Sequence, residues 1–161
     1  MNSNFHFSVH RASCPLLHPD AEPGVFQSEL WKYDVAEFFI ASPDRSEYLE
    51  FNLAPNGAWW SCFFNKPREV SRINPLRGVK TYAEIGEEGW QVDAMIPRKE
   101  FPWPNFMDCA LNASFILDSP QQRFVTLAHL GRGKPDFHRP QDFLPMRLSS
   151  EEAGRQTSPD A

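Results

Sequence analysis

The stretch EYLEFNLAPNGAWWSCFF, residues 47–64, decides the fold. In its first half Leu49, Phe51 and Leu53 alternate with Tyr48, Glu50 and Asn52. That is the two-residue period of a strand with two unlike faces. Pro55, Asn56 and Gly57 supply turn chemistry, and AWWSCFFN resumes a strand, so the pair reads as a β-hairpin. The apolar parity packs a core. The other parity offers a phenol, a carboxylate and an amide, with a tryptophan at the turn.

The same period runs through the flanking sequence. NFHFSVHR alternates Phe5, Phe7 and Val9 against His6, Ser8 and His10. LWKYDVAEFFIA turns apolar on both parities near its end, which marks a central strand. YAEIGEEGWQVDAMIP reads as two strands split by GEEG, with Trp90, Val92, Ala94 and Ile96 sharing one face. DCALNASFIL points Leu111, Ala113, Phe115 and Leu117 inward and Asn112 and Ser114 outward. RFVTLAHL is a further strand, and LPMRL a last short one. Residues 66–81 read as polar and irregular. RKEFPWPNF reads as a proline-rich connection with a short helical turn.

Composition agrees. The chain has 161 residues, and 14% are aromatic, a strand-favouring class. Its 15 prolines belong in loops and on edges rather than in helix interiors. Strands recurring about every ten residues between turn signals predict an all-β fold. The expected architecture is an antiparallel β-sandwich of the jelly-roll or immunoglobulin-like two-sheet kind. One domain is expected over residues 1–148. Residues 149–161, SSEEAGRQTSPDA, have almost nothing to bury and read as a flexible tail.

Net charge is −5 and no basic cluster stands out, so no nucleic-acid partner is expected. No apolar run is long enough for a membrane helix, and MNSNFHFSVHR lacks the pattern of a signal peptide. A cytoplasmic location is the expectation. Cys14, Cys62 and Cys109 have no CxxC spacing and read as buried free thiols. No dinucleotide fingerprint, Walker loop or GxSxG elbow occurs. His129, His138 and Asp136 lack metal-ligand spacing, and no metal is expected.

Two features bear on function. Glu37 and Glu50 fall on strands expected to be neighbours, and paired carboxylates are what glycoside hydrolysis uses. Trp31, Trp59, Trp60 and Trp103 lie at strand edges and in loops, where flat apolar plates stack on sugar rings.

Four segments together resemble one family: LWKYDVAEFFI (30–40), YLEFNLAPNGAWWSCFF (48–64), GWQVDAMIP (89–97) and LAHLGRGKPDFHRPQDF (127–143). Their order and residue types are similar to DOMON-like proteins related to carbohydrate-binding module family 9. The resemblance covers about residues 25–145. It implies a β-sandwich with a ligand site on one sheet or at a loop end. It implies Trp31, Glu37, Glu50, Asn52 and Trp59 as ligand contacts, joined by Lys134, Asp136, His138 and Arg139 from the last loop. It also implies a non-catalytic protein that binds a soluble saccharide and needs no cofactor. Haem is the alternative the same group suggests, with His129, His138 or a methionine as axial ligand. A glycoside-acting enzyme built on Glu37 and Glu50, and a scaffold with an idle site, are the remaining alternatives.

Overall fold

The computed structural model describes residues 3–128 and 133–146. Two antiparallel sheets pack face to face. The smaller has the order β1–β7–β6, from Asn4–Arg11, Gly89–Pro97 and Lys80–Gly86. The larger has seven strands. Its path is β10–β8–β2–β3–β4–β5, from Leu144–Pro145, Ala110–Leu117, Val35–Ala41, Tyr48–Leu53, Trp59–Lys66 and Glu69–Ile73. The seventh strand, β9 (Arg123–Thr126), also pairs with β8.

Alternation assigns the core. Ala36, Phe38 and Ile40 from β2 and Leu49, Phe51 and Leu53 from β3 face the smaller sheet. They meet Val9 from β1 and Trp90, Val92, Ala94 and Ile96 from β7. Phe38, Phe51 and Trp59 form a stacked row, with centroids 5.0 and 5.7 Å apart. Burying each such ring fully stabilises by about 1.5–3 kcal/mol.

The opposite face of the large sheet is covered as well. Leu30, Phe39, Tyr48, Trp60, Cys62, Phe64 and Phe143 form a second cluster there. Every residue of β2 and β3 is therefore buried. Loops form this lid rather than a third sheet. Asp34 anchors one, accepting from the backbone N–H groups of Leu16 (3.1 Å) and Ser119 (2.9 Å). Arg45 anchors the other. Its Nη1 donates to the carbonyls of Pro140 (2.8 Å), Gln141 (3.0 Å) and Phe143 (2.7 Å).

Three local expectations need correction. Residues 66–81 hold β5 and the first residues of β6 rather than irregular chain. All of β5 is exposed, so it carries no apolar alternation to read. Asn112 and Ser114 point away from the inter-sheet core as expected, yet they are buried beneath the loop lid. Cys14 is exposed, whereas Cys62 and Cys109 are buried, and all three thiols are free. The segment expected as a tail lies outside the described residues. Among the described residues, no helix is long and apolar enough to cross a membrane.

Candidate functional site

Pairing across β8, β2, β3 and β4 lays polar residues into the lidded face. One rung reads Ser114–Glu37–Asn52–Trp60 and the next Asn112–Phe39–Glu50–Cys62. A third pairs Ala41 with Tyr48 and Tyr48 with Phe64. Glu37 and Glu50 are thus diagonal neighbours on adjacent strands, with Cβ atoms about 7 Å apart by sheet geometry. A cavity of about 580 Å³ opens above them. That volume suits a small ligand, for which about 300–1,000 Å³ is usual. Glu37, Glu50, Trp31, Trp60 and His138 all line it.

The polar side chains here are only partly paired. Ser114 Oγ donates to Glu37 Oε2 at 2.9 Å. Glu50 Oε2 lies 3.6 Å from His138 Nε2. Among the described residues no lysine or arginine comes within ion-pair distance of either carboxylate. Burial therefore pushes the Glu37 carboxyl up to about 7, only partly offset by Ser114. Burial, then the neighbouring charge of Glu37, pushes Glu50 well above the carboxylate range. The Asn52 side chain is near enough to Glu50 to favour its charged form, after burial and the Glu37 charge, which disfavour it. Even so, neither Nδ2 nor Oδ1 of Asn52 has a partner at hydrogen-bond geometry, although the residue is 0% exposed. Leaving a buried amide group unpaired costs about 1–3 kcal/mol.

His138 arrives from the 133–143 loop. Its Nδ1 lies 2.8 Å from Tyr48 Oη, which in turn accepts from the Arg68 backbone N–H at 3.1 Å. Because Tyr48 Oη accepts that bond through a lone pair, its own proton is available to donate to Nδ1, which leaves the imidazole proton on Nε2 facing Glu50. Burial, then the Arg68 charge, lowers His138 to about 4. At neutral pH its approach to Glu50 is thus a contact between an uncharged ring and a carboxyl, not an ion pair. Burial likewise raises the Tyr48 phenol and pushes the Cys62 thiol up to about 12.

The other expected contacts divide. Asp136 does not line the cavity; beside it, Asp136 binds Arg68 Nη2 at 2.8 Å and accepts from the His138 backbone N–H at 3.0 Å. Trp59 does not reach the cavity. Its ring is in the inter-sheet core and its Nε1 donates to Gly24 O at 3.2 Å. Trp60 takes that place, edge-on to Trp31 with centroids 5.5 Å apart. The reason is the hairpin register: Leu53 pairs with Trp59, so Trp59 shares the core-facing side of Leu53. Lys134 and Arg139 are exposed and do not line the cavity, and Arg139 pairs with Asp142. Trp103 lies in the core and donates to Glu47 Oε1 at 3.2 Å. Arg68, Gln122 and Phe124 do line the cavity. No local pattern marks them, because each comes from a segment whose position depends on the tertiary fold.

His138 suits haem iron poorly, since Tyr48 meets one ring nitrogen and Glu50 faces the other. Met95, Met107 and Met146 do not line the cavity, and His129 lies outside the described residues. A second concavity of about 620 Å³ lies beside Pro97, Arg98 and Trp103. No carboxylate or histidine lines it.

No family model matches the chain. It is similar to the crystal structure of a "putative carbohydrate-binding protein" from Bacteroides uniformis. The TM-score is 0.63 at 20% identity, covering 86% of this chain and 69% of that one, a likeness of fold. It is 33% identical over 159 residues to the mouse UPF0462 protein C4orf33 homolog, covering 92% of this chain and 81% of the mouse protein. To the rat homolog it is 30% identical over 136 residues, covering 82% and 67%. Identity at that level over most of both chains places this protein in the UPF0462 family.

Proposed function

We propose that this protein is a non-catalytic saccharide-binding protein, related to the DOMON-like proteins and carbohydrate-binding module family 9. Its ligand enters the cavity above Glu37 and Glu50. One observation carries the reading: two tryptophans and two buried carboxyls share one opening of ligand size, with the unpaired buried amide of Asn52 beside them on the same sheet face. A sugar has apolar ring faces and a rim of hydroxyls, and that wall and floor suit both. The fold likeness to the Bacteroides protein supports the same class. Trp60 and Trp31 supply the stacking surface. Glu50, Glu37 and Asn52 bond the hydroxyls, and Asp136 and His138 hold the loop that closes over them.

The test is intrinsic tryptophan fluorescence during titration with a panel of mono- and disaccharides. A saturable change with one sugar class, lost in Trp60→Ala, is the expected result. A flat response across the panel sinks the proposal.

A further inference from the structure

We propose that the cavity takes a ligand carrying an organic ammonium group, an amino sugar in the first instance, with the ammonium seated between Glu37 and Glu50. This rests on the saccharide reading of the cavity and narrows its ligand class. The walls are aromatic: Phe39, Phe64, Phe124 and Phe137 join Trp31 and Trp60. Aromatic faces carry negative quadrupole density and attract cations, most strongly where water is excluded. The floor holds two carboxyls, and among the described residues no lysine or arginine pairs with either. Arg68 lines the cavity and favours the charged form of Glu50, but it pairs with Asp136 at 2.8 Å rather than with either carboxyl. His138, Tyr48 and Cys62 face the pair in uncharged form.

The independent sign of a ligand is Asn52. Its amide is fully buried on the same sheet face, between Glu37 and Trp60, and both its polar ends are unpartnered. A neutral polyol would satisfy the amide but leave the carboxyl pair without a cation. An ammonium with adjacent hydroxyls satisfies both. The raised carboxyls agree with this, since an ammonium seated beside them would favour their charged form.

The deciding experiment titrates the full chain at neutral pH with glucosamine, N-acetylglucosamine and glucose, following fluorescence and heat. Glucosamine is expected to bind at least about tenfold more tightly than either neutral sugar. That preference should vanish in Glu37→Gln and Glu50→Gln, checked as folded by circular dichroism. If glucose or N-acetylglucosamine binds as tightly as glucosamine, the inference is overturned and saccharide binding stands. If none of the three binds, choline is titrated next. Choline binding keeps the cation site and retires the sugar, and its failure overturns both.

Discussion

Trp59 and Trp60 are neighbours in the chain and serve opposite faces of the sheet. Trp59 stacks on Phe51 in the inter-sheet core, while Trp60 meets Trp31 at the cavity. Their replacements should separate cleanly. Trp59→Ala is expected to cost roughly 3–5 kcal/mol in urea unfolding, as large core truncations do. Trp60 is as buried as Trp59, so Trp60→Ala should destabilise as well, and it alone should remove the fluorescence response to ligand. A response that survives Trp60→Ala would mean that Trp60 only packs. The residue scale is also where sequence reading went furthest. Glu37, Glu50 and Asn52 are on the predicted face, because alternation along one strand is a local property. Among the described residues no arginine or lysine pairs with Glu50, and both polar ends of Asn52 lack a partner.

At the scale of elements, the 133–143 loop is the wall of the site that no strand supplies. It brings Phe137 and His138 over the sheet and is held by two guanidinium groups, Arg68 on Asp136 and Arg45, in the β2–β3 turn, on the carbonyls of Pro140, Gln141 and Phe143. Arg45 has a left-handed backbone, φ 61°, which aims the side chain at the loop. Arg45→Ala should therefore loosen the loop without unfolding the sheets. Hydrogen–deuterium exchange should quicken in 137–143 while β2, β3 and β4 keep their protection. A stability loss of about 1–3 kcal/mol is expected from the three lost charge-assisted bonds. Unchanged loop protection would show that the aromatic contacts of Phe143 and Phe137 suffice. Elements with an apolar parity were legible, from β1 through β4 and again in β7 and β8. The exposed β5 was not, since its pairing to β4 is set by backbone bonds alone.

For the whole molecule, the buried titratable groups set how stability changes with pH. Glu37 moves from 4.5 to about 7 on folding, so the folded state holds its proton more tightly. Its contribution falls as pH rises through that window, by on the order of 3 kcal/mol in all. His138 moves the other way, from 6.5 to about 4, so its contribution grows as pH rises between those values. The two oppose one another below 6.5, and above it the carboxyls act alone, with Glu50 extending the fall. Stability should thus peak on the acid side of neutral. Glu50→Gln should raise the urea midpoint more at about pH 8 than at about pH 5. Parallel profiles for the two proteins would mean that Glu50 does not titrate against folding. The sequence alone determined the all-β class, the strands with an apolar parity and the two faces of β3, because these follow from the local geometry of an extended chain. Only the tertiary structure decided which tryptophan faces the cavity, that both faces of the large sheet are buried, and that His138 meets Tyr48 and Glu50. Those outcomes depend on hairpin register and loop placement, where a shift of one residue exchanges the two faces and leaves the local pattern unchanged.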